Sequence, residues 1–213
     1  KKIHLLCIWL VSLGTIFSAF WILLANSFMQ EPVGFVIKNG RAEMNDFGAL
    51  GTNPQLWVEF PHVLFGALAT GAFFIAGVSA YKMVKKQEVA FFKKSFQIAM
   101  VLAFISGLGV AFSGHDQAKH LMESQPMKMA ASEALWKDSG DPAAWTLFAN
   151  IDTDKKENSA EINIPFALSY LAYSKFSGDV PGMLTLQKEY EAKFGPGDYI
   201  PPVKTTFWSF RIM

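Results

Sequence analysis

Between Trp57 and Tyr81 the chain reads WVEFPHVLFGALATGAFFIAGVSAY, and from Val63 to Tyr81 it carries no charged residue. A helix needs roughly 20 predominantly apolar residues to cross the hydrocarbon core of a bilayer. The stretch is therefore predicted to span a membrane as a helix over 57–81, with His62 just inside its first turn. Gly66, Ala67, Ala69, Thr70, Gly71 and Ala72 follow the histidine, and small residues of this kind let a neighbouring helix or a flat ring approach the backbone closely. From the helix alone His62 suits two roles. One is a hydrogen-bonded residue near the interface; the other is a ligand, because ionisable residues inside a membrane are functional by default.

The rest of the composition agrees with a membrane chain. Over 213 residues, 51% are hydrophobic and 15% aromatic, with a mean hydropathy of +0.22, too apolar for an ordinary soluble domain. The net charge of +1 leaves no basic footprint, which excludes nucleic acid as a partner. Cys7 is the only cysteine and lies in an apolar run, so neither a disulfide framework nor a cysteine metal site is available within the chain. The sequence opens on Lys1 and stops at Met213 inside an apolar, aromatic run, and is expected to be an internal segment of a longer protein.

Two further spans are predicted. Lys1 and Lys2 precede Ile3–Ala25, which contains no Asp, Glu, Lys or Arg, and Ser95–Gly114 is likewise uncharged. In the first span Ser12, Thr15 and Ser18 can return their hydroxyls to a carbonyl one turn back, and Ser18 can alternatively line a polar path. The connection over 29–56 is punctuated by Pro32, Gly34, Asn39-Gly40, Gly48, Gly51 and Asn53-Pro54, all turn formers. Seven lysines (Lys1, Lys2, Lys82, Lys85, Lys86, Lys93, Lys94) fall on one side of the membrane, against Lys38 and Arg41 in the 26–56 loop. By the positive-inside rule the lysine-rich side is cytoplasmic and His62 lies near the outer face.

From His115 to Lys204 the chain becomes polar yet keeps Trp136, Trp145, Phe148, Phe166, Tyr170 and Tyr173, too many aromatics for a disordered tail. It is expected to form a partly ordered lobe on the outer surface. Helices are predicted from Pro126 through Trp136, from Asn163 as a cap with Pro165 at the first position, and from Pro181 to Phe194 closed by Gly195. The ending TTFWSFRIM reads as the start of a fourth spanning helix in which Arg211 needs an anionic partner or the interface. The expected architecture is an all-α membrane protein: transmembrane helices one to three over 1–114, an extracytoplasmic lobe over 115–204, and the start of a fourth helix over 205–213.

Several strings then carry a resemblance. SAFWILLANSFMQEPVG at 18–34, VEFPHVLFGALATGAFF at 58–74, QPMKMAASEALW at 125–136 and FRIM at 210–213 resemble, in order along the chain, subunit I of the cytochrome bd-type quinol oxidases. The resemblance implies that His62 and Met213 are the axial ligands of a low-spin haem b, a six-coordinate centre that transfers electrons without binding oxygen. Without it, Met213 reads as a gap-filling core methionine. Arg211 would then meet a haem propionate. The lobe would be the quinol-binding loop, with Lys128 and Glu133 as its acid–base residues. Five residues apart on a helix, these two side chains diverge by about 140°, so they do not form an ordinary intrahelical ion pair. Taken without the resemblance, both are solvated surface charges.

Ser18 and Asn26 match polar positions tied to a hydrophilic path, whereas His115 and His120 read as surface residues. The high-spin haems b and d would lie in parts of the subunit outside this sequence, which has no GRQPW-like string. The partners implied are quinol, either ubiquinol or menaquinol, a subunit II with small subunits, and membrane lipid, all in a bacterial or archaeal cell membrane. The competing reading is a fragment of a multi-pass transporter in which His62 and Arg211 line a solute path. Against it, the sequence shows no internal repeat.

Overall fold

A computed structural model describes residues 1–212, and the chain divides into two compact units, 1–117 and 118–213. The first is built on three long helices: α1 (Lys2–Gln30), α3 (Pro54–Val84) and α4 (Val89–Ser124), each long and apolar enough to cross a membrane. All three run beyond the predicted uncharged stretches, because polar residues at either end continue the helical hydrogen bonding into the interface. The basic link expected over 82–94 accordingly contracts to the turn Lys85–Glu88, with Lys86 and Glu88 in the left-handed region. His62 also moves relative to expectation. Asn53 caps α3 by accepting from the Gln55 amide at 2.9 Å, and Pro54 occupies the first position, so His62 sits more than two turns inside. Between α1 and α3 lie a hairpin of β1 (Phe35–Lys38) and β2 (Arg41–Met44) and the short α2 (Gly48–Gly51).

Packing within this unit uses small side chains. Ala72, Ala76 and Ser79 on α3 and Ala99, Ala103 and Ser106 on α4 are buried, while Phe73, Phe74, Phe104 and Phe112 are exposed, the pattern of helices that meet through small residues and turn large ones to lipid. At Gly109 the approach of α3 is close: a methyl group there would collide with the ring of Phe65.

The second unit is a mixed lobe. It contains α5 (Pro126–Ser132), a hairpin of β3 (Trp145–Asp152) and β4 (Glu157–Ile164), α6 (Ala167–Tyr173), α7 (Met183–Phe194) and α8 (Val203–Ile212). The hairpin corrects the expected helix beginning at Asn163: that residue pairs with Thr146 in the ladder, and helix α6 starts only after Phe166. The turn is set by Asp152, whose carboxylate accepts from the amides of Asp154 and Lys155. Helix α7 begins two residues later than expected and does end at Gly195, with φ +98. The core includes Phe207, Met183, Val203, Trp136 and Met127, placing α5 and α8 around one apolar centre. The chain is thus mostly helical, with hairpins confined to its connections.

Candidate functional site

Helix α5 stops short of Trp136 for a local reason. Ala134 takes φ +52, its amide donates to Ala131, and the amide of Leu135 donates to Ala130 at 2.9 Å, the paired bonds of a Schellman closure. The Asn158 side chain donates to the Ala134 carbonyl at 2.9 Å and secures this turn from β4. Glu133 therefore occupies the C-cap of α5, turned into the lobe rather than toward solvent.

There it meets Arg211. Arg211 Nη2 lies 2.6 Å from Glu133 Oε2, with the two side chains only 9% and 6% exposed. Nε and Nη2 of Arg211 also donate to the Thr146 carbonyl at 3.0 and 2.6 Å, and the guanidinium rests over the rings of Phe207 and Trp145. Burial pushes the Glu133 carboxyl up to about 7, although Arg211 and a hydrogen bond from Trp145 pull the other way. A carboxyl poised there can take or release a proton at neutral pH. The anion beside Arg211 among the described residues is thus Glu133. Glu133 is not the solvated surface charge that the bare sequence allows.

Lys128 is half-buried on α5, five residues before Glu133. Met213, the expected second iron ligand, lies outside the described residues. His115 and His120 are half-buried on α4. Ser18 is exposed on α1.

In the helical unit His62 is half-buried, and its Nδ1 lies 3.1 Å from Ser113 Oγ on α4. With Nδ1 engaged, Nε2 is the ring nitrogen left for a metal, so the residues at this position suit an iron ligand. Asn26 belongs to a second cluster: Gln30 Nε2 donates to Asn26 Oδ1 at 2.9 Å and to Glu59 Oε1 at 2.8 Å, and Gln55 Nε2 donates to the same Oε1 at 2.5 Å. Among the described residues Glu59 Oε2 is a buried side-chain oxygen with no hydrogen-bond partner. Sequence reading missed Glu59, Gln30, Gln55 and Ser113. The acidic residue three before His62 was a visible signal, whereas Ser113 and the glutamines become significant only when α1, α3 and α4 are side by side.

Comparison with known proteins identifies the family. The profile of the family described as cytochrome bd terminal oxidase subunit I matches residues 1–213. The chain belongs to that family. It is 78% identical over 213 residues to cytochrome bd ubiquinol oxidase subunit 1 of Bacillus subtilis (strain 168), covering 100% of this chain and 46% of that protein. It is 36% identical over 191 residues to cytochrome bd-II ubiquinol oxidase subunit 1 of Escherichia coli (strain K12), covering 89% of this chain and 37% of that one. The solved bd oxidase from Geobacillus thermodenitrificans superposes with a TM-score of 0.79 at 31% identity, over 99% of this chain and 46% of the matched chain. The chain spans about half the length of the curated relatives it matches or less. As a member of this family it is a multi-pass membrane protein, with three helices long and apolar enough to cross the bilayer, and the family implies haem cofactors. No finding favours a transporter.

Proposed function

We propose that the chain is the quinol-oxidising, electron-input part of a membrane terminal oxidase. In this reading electrons from quinol would enter a low-spin haem b and be passed on to high-spin haems b and d outside the chain, where oxygen would be reduced to water. The observation that carries it is the buried Glu133–Arg211 pair. It pairs a carboxyl that is near neutrality with Arg211, which in the sequence stands two positions before the expected haem ligand Met213.

Quinol becomes quinone by losing two electrons and two protons. A haem held by imidazole and thioether supplies a six-coordinate one-electron acceptor of raised potential, and His62 and Met213 are the residues that would hold it. Glu133 receives a hydroxyl proton, which requires a quinol oxygen within about 2.6–3.2 Å or one bridging water. Lys128 orients the second ring oxygen and stabilises negative charge that develops there. Arg211 holds the Glu133 carboxylate in place and would share its remaining donors with a haem propionate. Asn26, supported by its cluster with Gln30 and Glu59, and Ser18, supported by the resemblance alone, would belong to a polar path.

The donor is ubiquinol or menaquinol, and the partners are a subunit II and small subunits in a bacterial or archaeal cell membrane. The lobe faces outward and the Lys85–Glu88 turn faces the cytoplasm, as the lysine asymmetry supports. Protons released outside and consumed inside would contribute to the proton motive force.

Reduced-minus-oxidised spectra of the full oxidase test the reading. His62→Ala is expected to remove the low-spin haem band, and Met213→Leu to leave a five-coordinate haem of lower potential. An unchanged low-spin spectrum in either variant removes that residue from the site. Labelling of a cysteine at Lys86 by an impermeant reagent outside intact cells would reverse the sidedness.

A further inference from the structure

The contact that sets the state of His62 is made by a residue with no assigned role. Ser113 Oγ lies 2.6 Å from the Gly109 carbonyl, one turn back on α4, and a carbonyl can only accept, so the hydroxyl proton is committed there. The same oxygen lies 3.1 Å from His62 Nδ1 with lone pairs to spare. Nδ1 must then be the donor and carry the ring proton, which leaves the neutral imidazole lone pair on Nε2.

The neighbouring backbone supports the same ring placement. A methyl group at residue 114 would stand 3.2 Å from His62 Cε1 and 3.5 Å from Nδ1, so glycine there gives the ring room against α4. Ser106, seven residues earlier on α4, provides an internal comparison. Its hydroxyl also donates one turn back, to the Leu102 carbonyl at 2.5 Å, which is what serines in apolar helices ordinarily do. That bond needs no ring opposite, whereas Ser113 has one.

We propose that Ser113 is a positioning residue for the haem-ligand histidine: by accepting from Nδ1–H it selects the tautomer of His62, holds the plane of its ring and raises the basicity of Nε2. The inference rests on the reading of His62 as an iron ligand. Partners of this kind increase ligand basicity, and a more basic imidazole stabilises the oxidised iron. Removing the acceptor therefore raises the midpoint potential of the low-spin haem and alters its ligand-field spectrum. Haem affinity falls about tenfold, the lower end of the effect expected for losing such a partner.

The test uses the full oxidase in membranes, with redox titration of the low-spin haem and its low-temperature paramagnetic resonance spectrum. Ser113→Ala, and the near-isosteric pair Ser113→Val and Ser113→Thr, separate the hydroxyl from bulk; Ser106→Ala is the control. The expected result is an upward potential and changed resonance in the Ala and Val variants, with Thr and Ser106→Ala close to the parent. Parental values in both Ala and Val overturn the proposal, as does a Thr variant that shifts as far as Val. His62→Ala is run in parallel: retention of the low-spin signal there would show that the underlying ligand reading had failed, independently of Ser113.

Discussion

The two units treat large apolar side chains differently. In the helical unit Ala72, Ala76, Ala99, Ala103 and Ser106 are buried while Phe73, Phe74, Phe104 and Phe112 are exposed; in the lobe Phe207, Leu168, Met183 and Val180 are fully enclosed. Lipid offers large apolar side chains what a protein core would, so the membrane helices gain by close backbone approach rather than by hiding phenylalanine. The lobe meets water, and burial of large side chains is its main favourable term. Polar groups differ in the same way. The lobe can enclose a full ion pair, Glu133–Arg211, because Thr146, Trp145 and Phe207 complete its surroundings. The helical unit encloses Glu59 with only amide donors on one of its oxygens.

The sharpest attempt to break this contrast is at the ion pair. Arg211→Met leaves the Glu133 carboxyl buried without its cation and should destabilise the lobe by about 3–5 kcal/mol, whereas Glu133→Gln with Arg211→Met together should recover much of that loss. Proteolysis of the lobe in the intact oxidase reads both. Equal sensitivity of the single and double variants would mean that the pair is not the reason for the loss.

A matched pair of aromatic truncations comes next. Phe207→Ala should cost about 3–5 kcal/mol as a cavity in a water-facing lobe. Phe73→Ala on the lipid face of α3 should change thermal stability by at most about 0.5 kcal/mol, as for ordinary surface substitutions. Similar losses at both sites would erase the distinction between the two kinds of core.

Chemistry should divide along the same line. Lys128→Ala and Glu133→Ala are each expected to lower quinol oxidation by about 10²-fold or more, with the haem spectrum and turnover of a donor that bypasses the lobe retained. Loss of both activities together would return these residues to a structural role. With Glu133 near 7, quinol turnover should also fall as pH drops below that value, since the carboxyl is then already protonated, and the limb should be absent from Glu133→Gln. The raised value carries a stability consequence of fixed sign: the folded lobe prefers the neutral carboxyl, so this contribution is complete below the unfolded value of 4.5 and is lost as pH rises through about 7.

A smaller effect than at the ion pair is expected at Glu59→Ala, which removes the acceptor of the buried Gln55 amide and one acceptor of Gln30 and should cost about 1–3 kcal/mol by thermal inactivation. Glu59→Gln, which keeps an oxygen acceptor, should cost less. A loss in Glu59→Gln as large as in Glu59→Ala would show that the charge, not the acceptor, is what the cluster requires.

Membrane spans were legible because uncharged runs near bilayer length have few alternatives, and the strings around His62, Glu133 and Arg211 were specific enough to point to the family before any fold was in view. The α7 terminus at Gly195 was legible too, since a left-handed closing residue favours glycine. The strand at 157–164 was not: Asn163-Pro165 carries a good local helix-start signal, but pairing with residues 145–152 outweighs it. Nor do local preferences indicate that Ala134 turns α5 and directs Glu133 inward, or that Arg211, 78 residues away, supplies its cation. The sequence by itself determined which segments enter the membrane and which residue types are available for proton and iron chemistry, because both follow from local composition and spacing. Only the tertiary structure decided that Glu133 meets Arg211 and that Ser113 meets His62, because each contact depends on the packing of elements distant in the chain.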